Sequence, residues 1–176
     1  MKLFIGLLMF ASVAFAKDVI SPDRSVVIRW GDSGDGQDTT ISVLHSGSTM
    51  WRTTVFPRWS GASWAPNSRA CIIWNAPDNA NTDMWLVLRR DGGEVAVVPL
   101  DYGELCGSIE KAFPALHRDE RDGLTRSGVE RIAWVSNNFV QFQMDYNNAS
   151  VVVTSEFSKG TLRHFKGRKG EQADEG

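Results

Sequence analysis

Three stretches of this chain repeat one another, and a repeat of this length constrains the fold more than any other feature of the sequence. Ile20-Ser21-Pro22-Asp23 leads through Arg24 into Ser25-Val26-Val27-Ile28-Arg29-Trp30. Shifted by 44, Trp64-Ala65-Pro66-Asn67 leads through Ser68 into Arg69-Ala70-Cys71-Ile72-Ile73-Trp74. Pro22 aligns with Pro66, Ile28 with Ile72 and Trp30 with Trp74. The same shift, carried on without a gap, pairs Ile41 with Trp85, Val43 with Val87 and Leu44 with Leu88. A third copy, shifted by a further 70, runs from Trp134-Val135-Ser136-Asn137 into Phe139-Val140-Gln141-Phe142-Gln143-Met144. It places Asn137 on Asn67, Phe142 on Ile72 and Met144 on Trp74.

Each copy reads as four strands. A short strand ends at a Pro/Asx turn, a second alternates with period two, and a polar loop leads to a third strand, a Gly turn and a fourth. In the second copy these fall at about 61–65, 69–74, 83–90 and 94–100. The last turn is Asp91-Gly92-Gly93, a hairpin signal because glycine tolerates positive φ. The other copies use Ser46-Gly47-Ser48 and Ser158-Lys159-Gly160. The strands are rich in Val, Ile, Trp and Phe, which suit a half-buried pleated surface. Four strands in a period near 40–45 residues are the mark of a propeller blade. The sequence therefore predicts an all-β fold of about three four-stranded antiparallel blade-like sheets, with a short helical insertion. Closed propellers usually need four to eight blades. Three leave a partial or open propeller, an assembly of copies, or a β-sandwich as the alternative.

The Ser21-Pro22-Asp23 turn before a strand ending in Trp30, then Asp83-Met84-Trp85-Leu86-Val87 and Asp91-Gly92-Gly93-Glu94, resembles the blades of TolB-like periplasmic β-propellers. The resemblance covers most of 18–165, and what it implies is a repeat protein that makes protein contacts.

The first residues predict the compartment. Lys2, the apolar run Leu3 to Phe10 and Ala14-Phe15-Ala16 form the n-region, h-region and cleavage site of a secretory leader over 1–16. The run is too short to span a membrane, which takes about 20 apolar residues, and no later segment qualifies. The expected mature chain is a single domain over 17–165, secreted or periplasmic, with 166–176 as a disordered tail. The net charge is −2, and Lys166, Arg168 and Lys169 are followed by Glu171, Asp174 and Glu175. No nucleic-acid partner is expected from that balance. Cys71 and Cys106 are the only cysteines, and an even count in an oxidising compartment predicts one disulfide between them.

Between the second and third copies lies an insertion, about 101–128. Leu105, Ile109, Ala112, Phe113 and Leu116 fall at helical spacing, and Pro114 ends that helix or begins a second.

The candidate sites are few. Two Asx-rich loops occupy equivalent places between second and third strands, and their Asp32, Asp35, Asp38, Asp78 and Asp83 are candidate Ca²⁺ ligands, since a hard cation takes six to eight oxygens. The same residue types are ordinary turn formers. Trp59, beside Arg58 in the link between copies, has no strand partner in this reading and is a candidate anchor for a protein or glycan. His45, His117 and His164 sit in no catalytic or ligand spacing, and no nucleophile elbow is present. The function expected is an exported non-catalytic interaction module with an envelope or extracellular protein as partner. The alternatives are a secreted enzyme or enzyme-like propeller fragment acting on glycans or peptides, and a calcium- or small-ligand-binding protein.

Overall fold

The computed structural model describes residues 17–32, 38–56, 59–76, 82–114, 127–146 and 149–169. It contains three separate four-stranded antiparallel sheets, each a meander in chain order. The first holds β1 (Lys17–Ile20), β2 (Val26–Asp32), β3 (Thr39–His45) and β4 (Ser48–Val55). The middle sheet holds β5 (Trp59–Trp64), β6 (Ala70–Ala76), β7 (Asp83–Arg89) and β8 (Val95–Leu100). A helix, α1 (Tyr102–Ala112), leads to the third sheet: β9 (Ser127–Trp134), β10 (Phe139–Tyr146), β11 (Ala149–Ser158) and β12 (Thr161–Lys169). Three blade-like sheets are what the repeat predicts.

The sheets stack in sequence order, because strand alternation gives the middle one two apolar faces. On β6, Cys71 and Ile73 join a buried cluster with Val26, Ile28, Trp30, Ile41 and Val43 of the first sheet. Their neighbours Ala70 and Ile72 join a second cluster with Val140, Phe142, Met144 and Val153 of the third. Each fully buried Ile, Leu or Phe contributes about 1.5–3 kcal/mol. One net hydrogen bond contributes about 0.5–1.5 kcal/mol. Face-to-face burial therefore holds the stack together, and hydrogen bonds set its alignment. The terminal sheets turn a more polar side outward. On β10 the residues between the buried ones are Gln141, which donates to Thr154, and Gln143, which donates to Glu130. A polar outer face on a terminal repeat ends a stack.

The repeat is real, but two of its equivalences shift by one residue. Trp30 pairs with Ile41 across β2 and β3, whereas Trp74 pairs with Met84 across β6 and β7. The second copy's loop is one residue shorter, so Val43 corresponds to Leu86 rather than Val87. The third copy's first turn is shorter by one as well. The Ala65 amide donates to the Ala70 carbonyl, while the Val135 amide reaches only to that of Phe139. Phe142 thereby takes the place of Ile73, not Ile72, and faces the middle sheet. A one-residue slip exchanges the two faces of a strand.

Helix α1 follows from its caps and its stripe. The Asp101 carboxylate accepts from the Gly103 amide at 2.7 Å, and Glu104 and Lys111 complement the helix dipole at the two ends. Leu105 and Ile109, four apart, are buried in the cluster between middle and third sheets. Phe113 packs against that cluster, Ala112 is exposed, and the helix stops before Pro114. The helix packs on β12 and β11, and Tyr146 at the end of β10 donates its hydroxyl proton to Glu110. Leu116 and the rest of 115–126 lie outside the described residues, as do the expected leader 1–16 and residues 170–176. Residues 166–169, expected in the tail, instead belong to β12, paired with Val151 to Thr154 of β11.

No disulfide joins the cysteines. Cys71 points from β6 toward the first sheet, whereas Cys106 packs against the cluster on the opposite side of the middle sheet. The alternation of β6 puts the thiol on the wrong face for a bridge. Burial pushes the Cys71 thiol well above its ordinary pKa.

Candidate functional site: the turn end of the stack

The meander brings all first-to-second and third-to-fourth turns to one end of the stack and the facing ends of the second and third strands to the other. The turn end is held by a repeated set of side-chain bonds. In the first sheet the Arg24 amide donates to the Ser21 carbonyl at 2.8 Å with Arg24 at φ 61°. In the middle sheet the Ser68 amide donates to the Ala65 carbonyl at 2.9 Å with Ser68 at φ 60°. The Asp23 carboxylate accepts from the Ser25 amide, and the Asn67 side chain accepts from the Arg69 amide. These are Asx turns, and they explain why Asp and Asn stand at equivalent places. The hairpins opposite use two consecutive positive-φ residues, Ser46-Gly47 and Lys159-Gly160, which match the strand twist.

Turns of neighbouring sheets are tied together. The Asp23 amide donates to the Ser68 hydroxyl at 3.0 Å, and Arg89 pairs with the Asp23 carboxylate. Just below the rim runs a repeated bond. The Trp64 indole donates to the Val19 carbonyl at 3.5 Å, and the Trp134 indole to the Ser63 carbonyl at 2.9 Å. Val19 and Ser63 are one repeat apart, as are Trp64 and Trp134. Each of these two sheets thus hangs an indole on the sheet before it. In the first sheet, which has none before it, Ile20 fills the place and is 53% exposed. On the third sheet's rim Val135 and Phe139 are 56% and 44% exposed. Ile20 and the Val135–Phe139 pair thus stand on different sheets at one end of the stack, and loops carried on a rigid scaffold are where partners bind.

The described candidate Asp residues lie at the opposite end. Asp32 closes β2, Asp38 precedes β3 and Asp83 opens β7. Asp35, Asp78 and Arg58 lie outside the described residues. Among the described residues no three His, Cys, Asp or Glu side chains come together as a metal group. Trp59 is not unpaired backbone, for it opens β5 opposite Ala76. The Asn75 amide donates to the Phe56 carbonyl at 3.3 Å and holds the link to the middle sheet. Among the described residues the Asn75 side-chain oxygen and the Trp30 indole nitrogen are buried there without a partner. Each such group costs about 1–3 kcal/mol. Ile20 belongs to the first copy and Val135 and Phe139 to the third, so no single segment of the sequence joins them as a site. The repeat itself, which aligns Ile20 with Trp134, was the signal that could have joined them.

The chain matches no family model and no curated protein. Among solved structures it is similar to an uncharacterized protein of Listeria monocytogenes EGD-e, at 11% identity and a TM-score of 0.41. That match covers 87% of this chain and 51% of the other, so the chain spans about half the length of that protein.

Proposed function

We propose that this chain is an exported, non-catalytic interaction module of the periplasm or extracellular space, and that its turn-end rim docks a partner protein. The observation that carries the reading is the rim itself. Asp23 bridges two sheets through Ser68 and Arg89, and the locked edge presents Ile20, Val135 and Phe139 to solvent. A pre-ordered surface loses little conformational entropy on binding, which favours recognition by rigid apolar contacts. The secretory pattern of residues 1–16 supports an exported partner, and the resemblance of the repeats to TolB-like blades supports a protein one.

The test is affinity capture from envelope and culture-fluid extracts. The bait carries Val135→Ser with Phe139→Ser, or, as a control away from the rim, Val98→Ser, a residue 42% exposed on β8. A partner retained by the wild type and by the β8 variant but lost by the rim double variant is the expected result. Equal capture by all three, or none by the wild type, overturns the reading.

A further inference from the structure

A stack of separate sheets has free edges, and edges attract strands because their N–H and C=O groups lack partners. Three edges lie at the outer side, one per sheet: β4, β8 and β12. Two of them are protected. β8 carries Pro99, which has no N–H to offer. β12 is packed by α1. β4, Ser-Thr-Met-Trp-Arg-Thr-Thr-Val, is eight residues long without proline; its only guards are one bulge, at Met50 near its start, and one charge, Arg52, and among the described residues no element pairs with its outer side.

The sequence around β4 is arranged symmetrically. Met50, skipped by the β3 register, and Phe56, just past the strand, are 48% and 59% exposed. They stand three residues on either side of Thr53. We propose that β4 pairs antiparallel with β4 of a second copy of this chain about a two-fold axis through Thr53, giving a symmetric dimer with one continuous eight-stranded sheet. In that register Met50 of one copy lies opposite Phe56 of the other, and Trp51 opposite Val55. Arg52, the one charged residue of the strand, lies opposite Thr54, so no two like charges face each other directly. A register centred on Arg52 would set two guanidinium groups opposite each other. An isologous contact of this kind closes on itself and does not grow into a fibre. One strand pair buries less than the roughly 1,200–2,000 Å² of a standard interface, so the association is weak and concentration-dependent.

Sedimentation of the full chain across a concentration series tests it. The wild type is expected to move from monomer to dimer mass. Met50→Ser with Phe56→Ser is expected to weaken that transition by about tenfold or more, through the loss of apolar contacts alone. Both substitutions are at exposed positions, and an unchanged circular dichroism spectrum shows that the fold is intact. Phe139→Ser, on the turn rim, is expected to leave the transition where it was, which separates this contact from partner docking. A wild type that stays monomeric throughout, or a dimer indifferent to the double variant, overturns the proposal.

Discussion

The indole N–H of Trp134 and the backbone carbonyl of Ser63 meet at 2.9 Å across the gap between third and middle sheets. The same bond, one repeat earlier, joins Trp64 to Val19. Trp134→Phe keeps a ring in the packing and removes only the donor. It is expected to cost about 1–2 kcal/mol in urea unfolding, because a partly buried carbonyl loses its partner. Ile20→Trp, at the equivalent place with no sheet before it, is expected to change stability by less than about 0.5 kcal/mol.

The backbone of Gly61 lies directly against the Trp74 indole in the middle sheet. A Cβ at Gly61 would lie 2.5 Å from Cζ2 and 2.6 Å from Cη2 of that ring. Gly61→Ala must displace an indole wedged against the core, and an overpacked site of this kind costs about 1–3 kcal/mol. Gly31→Ala, where nothing lies within 4 Å, is the comparison and is expected to be far milder. Thermal melts of the two variants check this.

The cysteines are predicted to be independent of redox conditions. Adding a reductant should leave the melting temperature unchanged, since no bridge is lost. Native Cys71 should resist a thiol reagent that modifies it readily in urea, because it is fully buried between sheets. Its raised folded-state pKa also sets a sign. Both states keep the proton below the ordinary thiol value, so that part of the stability is constant there. It is lost as pH climbs beyond that value toward the folded-state pKa, where only the unfolded thiol ionises. Cys71→Ala should flatten that alkaline slope.

At the acid end the relevant pair is on the outer side of the first sheet. Arg29 donates two hydrogen bonds to Asp18, at 2.9 and 2.7 Å, and holds its carboxyl below the ordinary aspartate value. A lowered folded-state pKa contributes stability that is present above the ordinary value and is lost as pH falls through the folded one. Asp18→Asn is expected to be less stable at neutral pH and to show a shallower loss on acidification. The pair is solvent-exposed, so the effect should shrink with added salt.

Much of the architecture was legible in the sequence because it rests on local rules. The Pro/Asx turn, the two-residue hairpin and the alternation of β6 each depend on a few neighbouring residues, and each repeats. The Asp101 cap and the Leu105–Ile109 stripe made α1 legible for the same reason. What was hidden depended on which face a strand presents. The Cys71–Cys106 bridge looked natural from composition, yet it required the thiol of β6 to face α1. Trp59 reads as a link residue because the first strand of its copy is expected from about 61, whereas β5 already begins at Trp59 and Gly61 within it receives the Trp74 ring. The rim was hidden for another reason: no single segment contains it.

The shortened turn before Phe139 has a consequence for how such a chain can change over time. Removing one residue from a turn interchanges what a strand shows to its neighbour and what it shows to water, while removing two restores the original assignment. Viable length changes between strands should therefore come in even steps, or be accompanied by a rewritten strand. The third repeat, with glutamines where its predecessor carries Ile72 and Trp74, reads as a strand rewritten to fit an odd step.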